Sequence, residues 1–183
     1  APTNIPYTVN IELKGAQRAK QPWDGEKLSI HTANAIQNAG FNHNNILFSS
    51  FALDNIITMA NILPTAHYGM LFYEKSQPED IYTTPLTSFN HQALGFNLDT
   101  VQQVQATFTY HTPTAAKLTY LHPEITTITP HTMVELSKQG YGFNTWGLME
   151  RMDDPARRTV YQTFIAEARI HNISWGIITD DIT

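Results

Sequence analysis

The sequence predicts an α/β domain built on parallel strands. Two observations carry this: short β-like runs alternate with helical patterns along the chain, and Pro and Gly stand where each helix should start or stop. Parallel neighbours need crossover connections, and the helical stretches between the runs supply them.

Tyr7 to Leu13 alternates with period two. Tyr7, Val9, Ile11 and Leu13 share one face, while Asn10, Glu12 and Lys14 share the other. Glu26 to Ala39 reads as a helix closed by Gly40 in the C′ position. Ile46 to Ser50 is the next strand. Leu53, Ile56, Ile57, Ala60 and Leu63 follow the spacing of an amphipathic helix, stopped by Pro64. Tyr68 to Tyr73 is the third strand. From Glu74 to Ala116 the pattern blurs, and only Leu98 to Val104 reads as helical. Lys117 to Leu121 is a weak strand. Thr129 and Pro130 form an N-cap and N1 pair for a helix ending at Gly140, and Tyr141 to Trp146 is a strand. Asp154 and Pro155 repeat the device for a helix to about Ile170, and Trp175 to Ile178 is the sixth strand.

The 183 residues fit one domain, spanning 1–183, with enough chain to bury a core. Without cysteine there is no disulfide, thiolate nucleophile or Cys-based zinc site. A net charge of −5 with no dense basic run makes nucleic acid a poor partner. No apolar run reaches the roughly 18 residues a membrane span needs, so no transmembrane segment is expected. The sequence assigns no compartment. It also holds no Gly-rich phosphate loop, dinucleotide fingerprint or Ser nucleophile elbow.

Several strand ends carry a recognisable series. Asn10-Ile11-Glu12-Leu13-Lys14 resembles an Ile-Glu-x-Lys strand. Ser49-Ser50-Phe51, with its helix and Pro64, is similar to a Ser-Phe motif followed by a helix and a Pro stop. Phe143-Asn144-Thr145-Trp146 looks like a Val-Asn-x-Trp strand, and Gly176-Ile177-Ile178-Thr179-Asp180 a closing Gly-Ile-Ile-Thr-Asp strand. In this order the four resemble the glycerophosphodiester phosphodiesterases. The resemblance implies a TIM-type (β/α) barrel with about six of its eight strands present. A full barrel takes about 250 residues, and the family's His-Arg-Gly, Glu-Asn-Thr, Glu-x-Asp and His-Asp segments do not occur here. Gly147-Leu148-Met149 also stands where many members continue Thr-Val-Asn.

By the same resemblance the complete enzyme binds a divalent cation, Mg or Ca, through three carboxylates. It hydrolyses a small-molecule phosphodiester to glycerol 3-phosphate and an alcohol, with two histidines as general base and acid. Glu12 is then a metal ligand. Lys14 is a phosphate contact, and Asn144 and Trp146 are substrate-binding residues. None of the catalytic residues falls in this chain, so the chain by itself is expected to be inactive, with weak or absent metal binding. The residues taken on their own leave plainer readings open: a Glu12–Lys14 pair on a solvated strand face, and a core tryptophan at residue 146.

Ser50 and Phe51 either line the pocket or pack in the core, and Thr179 and Asp180 are expected to tie down the closing loop. Of the eight histidines only His122, in Leu-His-Pro-Glu, is a pocket candidate; His31, His131 and His171 fall on or beside helices. A rival reading is a non-catalytic barrel remnant that binds a phosphorylated ligand or a partner protein. Self-association through open barrel edges is a further expectation.

Overall fold

The computed structural model describes residues 9–14, 25–73, 94–147 and 155–178. Strand β1 (Val9–Glu12) is followed by α1 (Gly25–Asn38), β2 (Ile46–Ser50), α2 (Leu53–Ile62) and β3 (His67–Phe72). Then come α3 (Leu98–His111), β4 (Lys117–Pro123), α4 (Pro130–Ser137), β5 (Gly142–Thr145), α5 (Pro155–Ile170) and β6 (Trp175–Ile177). The six strands form one sheet in the order β1-β2-β3-β4-β5-β6, and every neighbouring pair is parallel.

Local chemistry explains the element ends. The Asn97 side-chain oxygen Oδ1 accepts from the Thr100 N–H to open α3, and the Thr129 hydroxyl accepts from the Thr132 N–H to open α4, with Pro130 at N1. Gly40 (φ 69°) and Gly140 (φ 95°) adopt the left-handed conformation that ends a helix and that glycine adopts without strain.

A sheet wound in strict sequence order, with crossovers of one hand, receives all its helices on one face. The packing follows. Ile11, Ile46, Phe48, Tyr68, Met70, Phe72, Leu121 and Phe143 point to the helices and join one core with Ala33, Ile56, Met59, Val104, Phe108, Leu136 and Phe164. The other face curls inward, making a half-barrel. One register row crosses it from Glu12 through Ser49, Gly69 and Tyr120 to Gly142. That row leaves the end of β1 and arrives at the start of β5. The slip is about one residue per strand, the stagger that tilted barrel strands require.

Large inner side chains lie across glycines of neighbouring strands. A Cβ at Gly69 would stand 2.4 Å from His122 Nε2, one at Gly142 would stand 2.6 Å from the Tyr120 ring, and one at Gly176 would stand 2.6 Å from Asn144 Oδ1. The inner wall is therefore packed by pairs of one large and one absent side chain.

Two sequence expectations change. Helix α3 runs on to His111 instead of ending near Val104, because Phe108 continues the buried stripe of Val101 and Val104. Strand β4 runs on to Pro123 instead of ending at Leu121, because Leu71 and Phe72 of β3 continue the ladder to His122 and Pro123. The segment 74–93, the residues before Val9, and Thr179 and Asp180 lie outside the described residues.

Candidate functional site at the strand C-terminal rim

In parallel α/β sheets the strand C-terminal ends carry the site, because the loops that follow them converge there. Glu12 ends β1 on the inner face, as its alternation with Ile11 predicted. The Lys14 ammonium stands 3.5 Å from Glu12 Oε2. The lysine side chain is 66% exposed and the glutamate 24%, so this is a hydrated ion pair worth little in stability. It leaves both charges near the rim.

Leu13, between them, is fixed on both sides. Its N–H donates to the Ser49 carbonyl at 2.8 Å, and its carbonyl accepts from the Ser50 hydroxyl at 2.8 Å and the Asn55 amide at 3.3 Å. Ser50 thus faces the helices and is buried, which is the packing alternative of its two readings. Its neighbour Phe51, turned by the end of β2, does reach the rim.

There Phe51 joins Tyr73 and Trp146. The Phe51 and Tyr73 rings stack with centroids 4.1 Å apart, and Trp146 meets them nearly at right angles at 5.6 and 5.8 Å. Such pairs contribute about 0.5–1.5 kcal/mol each beyond burial. The Trp146 indole N–H is shared between the carbonyls of Phe72 and His122, both at 3.1 Å. Tyr73 is held in turn by backbone bonds to Leu94 and Phe96. The trio spans the rim from the end of β2 to the end of β5, over β3 and β4.

Asn144 lies two residues deeper on β5, 6% exposed, with its amide over Gly176. It shares the inner face with Trp146, as expected, but forms part of the wall. Glu12 and Asn144 stand on the same face with β2, β3 and β4 between their strands. Glu124 follows β4 at the rim, bridged to Trp146, with its side chain against Gly147.

His122 is the clearest departure from the sequence reading. It is fully buried beneath the rim, and burial pushes its imidazole down to about 3, so it is neutral at ordinary pH. Neither ring nitrogen has a hydrogen-bond partner among the described residues. His122 is a wall residue and not an accessible pocket residue. The helix-side histidines behave as predicted: His171 Nε2 lies 3.4 Å from Glu167 on the outer shell.

The residues that sequence reasoning missed are Tyr73 and Glu124. A signal for Glu124 existed: Tyr120, His122 and Glu124 alternate along β4, the period-two mark of one strand face. Tyr73 carried none, since it depends on pairing with residue 95 across a stretch without periodicity.

Among the described residues no three His, Asp or Glu side chains come together as a metal cluster. The neighbour of Glu12 is an ammonium, so these residues do not by themselves fit a divalent cation. A groove of about 340 Å³ opens at the opposite, N-terminal ends of the strands, lined by His67, Tyr120, Tyr141, His171 and Ser174 among others. It is at the wrong end of the strands for barrel chemistry. No described helix is long and apolar enough to cross a membrane.

No family model matches the sequence, and no curated protein does. The fold is similar to that of a protein assigned as a glycerophosphodiester phosphodiesterase from Galdieria sulphuraria, with TM-score 0.58 and 12% identity over 93% of this chain and 52% of that one. A protein assigned as a glycerophosphoryl diester phosphodiesterase from Agrobacterium tumefaciens gives 0.49 and 14% over 92% and 52%. The aldose reductase of Schistosoma japonicum gives 0.37 and 11% over 93% and 69%. At these identities the likeness is one of fold. The chain spans about half the length of the two phosphodiesterase structures.

Proposed function

We propose that this chain is the C-terminal portion of a glycerophosphodiester phosphodiesterase-type barrel, and that its rim forms one side of a site for phosphodiester hydrolysis. One observation carries the reading. Motifs that are individually weak in sequence, Ile-Glu-x-Lys, Ser-Phe and Asn-x-Trp, end on one rim of a sequentially wound parallel sheet, in the order the resemblance requires. The half-barrel likeness to the Galdieria sulphuraria structure supports the same architecture.

In this reading water is added across a P–O bond of a glycerophosphodiester, releasing glycerol 3-phosphate and an alcohol. Lys14 offsets charge on a non-bridging phosphate oxygen. Trp146, with Phe51 and Tyr73 behind it, walls the substrate, and Asn144 stiffens the wall beneath it. Glu12 contributes one carboxylate to a site whose other ligands lie outside the described residues. The two histidines of general acid–base catalysis come from segments this chain lacks.

The test compares this 183-residue chain with the complete product of its parent gene on glycerophosphocholine, in Mg²⁺ and in Ca²⁺. The complete product is expected to hydrolyse it and the chain by itself is not. Each missing acid–base role is worth about 10²–10⁴ in rate. Glu12→Gln in the complete product should cost about 10²-fold or more in kcat, as loss of an electrostatic partner does. An active isolated chain, or a parent gene without His-Arg-Gly and Glu-x-Asp strands, overturns the reading. Ligand binding without turnover by the complete product would point instead to a non-catalytic remnant.

A further inference from the structure

Leu13 lies one residue beyond the last residue of β1, where the ladder to β2 should end. Its N–H still donates to the Ser49 carbonyl at 2.8 Å. The next ladder donor would come from residue 51, but β2 turns there toward α2. The Leu13 carbonyl receives side-chain donors in its place: the Ser50 hydroxyl at 2.8 Å and the Asn55 amide at 3.3 Å. These donors are themselves locked. The Asn55 amide also donates to Ser50 Oγ at 3.2 Å, the Ala52 N–H donates to the same oxygen at 3.1 Å, and the Ser29 hydroxyl of α1 donates to the main-chain carbonyl of Asn55 at 3.2 Å. Ser29, Ser50 and Asn55 are 0%, 1% and 2% exposed. Burying three polar side chains costs free energy unless every group is paired. Here two of them, Ser50 and Asn55, converge on a single carbonyl, the one between Glu12 and Lys14, and Ser29 holds the backbone of Asn55.

We propose that Ser50 and Asn55 are positioning residues: they clamp the Leu13 carbonyl and so set where the Glu12 carboxylate and the Lys14 ammonium stand at the rim. The proposal rests on the phosphodiesterase reading for its catalytic consequence, but its structural claim can be read without any activity. Both side chains act through a backbone group, across the sheet from the helix side.

The experiment uses Ser50→Ala and Asn55→Ala. Phe108→Leu, in α3 at the far end of the strands, serves as a destabilised control, and Ser50→Thr restores the hydroxyl. The first readout is ¹⁵N relaxation of the Glu12, Leu13 and Lys14 amides in this chain. Order is expected to fall at these three in Ser50→Ala and Asn55→Ala, and to hold in Phe108→Leu. The second is kcat and KM of the complete enzyme on glycerophosphocholine. A displacement of the order of 1 Å is expected to lower kcat about 10- to 100-fold with little change in KM, and Ser50→Thr to recover most of it. Amides that stay ordered in both alanine variants overturn the proposal whatever the kinetics. Amides that loosen while kcat falls no more than in Phe108→Leu also overturn it, since the role would then be stability. Amides that loosen in this chain, together with a complete protein that lacks hydrolase activity, leave the clamp standing and remove the phosphodiesterase reading.

Discussion

His122 occupies the space that a side chain at residue 69 would need: a Cβ there would lie 2.4 Å from Nε2, closer than real Cβ contacts come. The imidazole is fully buried and cannot swing into solvent to make room. Gly69→Ala is therefore expected to destabilise the fold by about 1–3 kcal/mol, the usual cost of overpacking. Adding His122→Ala should recover part of that loss, so the two changes are non-additive. Urea unfolding of the single and double variants measures the coupling. Strict additivity would mean that the two residues do not compete for one volume.

That contact also shows what the sequence could and could not disclose. The six strands were readable because alternation and capping are local: Ile11 against Glu12, Thr129 with Pro130, Gly40 after a helix. The inner and outer faces followed from the same alternation, so Glu12 ended β1 on the expected side. The burial of His122 was not readable, because it depends on glycine two strand positions away in space and over fifty residues away in sequence. Ser50 was undecided for a similar reason. A serine beside a phenylalanine at a strand end can line a pocket or pack, and only the Leu13 carbonyl it meets decides between them.

Two ionisable groups, the fully buried His122 and the half-buried Asp54, set opposing pH slopes. His122 is pushed down to about 3 from an ordinary 6.5 by burial, so between those values the unfolded chain binds one proton more. Its contribution is present above pH 6.5 and is lost as pH falls toward 3, by about 1.4 kcal/mol per pH unit. Asp54 runs the other way. Burial raises its carboxyl from 3.8 to about 6, against a smaller lowering by His111, so its contribution is present below 3.8 and lost as pH rises through 6. The two oppose each other between about pH 4 and 6. Urea midpoints at pH 7, 5 and 3.5 should show His122→Leu losing less stability than the parent on acidification. Asp54→Asn should lose more between pH 6 and 4. Parallel profiles for all three proteins would contradict both assignments.

Trp146→Phe keeps a ring at the rim but removes the N–H shared by the Phe72 and His122 carbonyls. The expected cost is about 1–2 kcal/mol, that of a buried hydrogen bond. Trp146→Ala also removes the perpendicular contacts to Phe51 and Tyr73. Its expected cost is about 2–4 kcal/mol, below the full core value because the indole is only half-buried. Thermal unfolding orders the two variants. Equal losses would mean that the aromatic trio contributes nothing beyond the hydrogen bonds.

The edges of the sheet give the last prediction. Strands β2 to β5 are buried at nearly every position, whereas β1 has an exposed Val9 and half-buried residues after it, and β6 is half-buried throughout. Each edge strand pairs on one side only among the described residues. Because the Leu13 N–H points to β2, the Asn10 N–H, an odd number of residues away, points to the open side. A barrel abolishes such edges by closing, and an open one is a template for another strand. The 183-residue chain in isolation is therefore expected to self-associate at micromolar concentration, in a symmetric contact that buries both edges. Sedimentation velocity across a concentration series reads the mass, and amide exchange reads the edge, with the Asn10 N–H becoming protected as the assembly forms. Asn10→Pro removes that donor and should weaken association, since proline at an edge blocks the ladder without breaking the pairing on the other side. A monomer at every concentration, with the Asn10 amide exchanging freely, would show that something other than a second copy satisfies the edge.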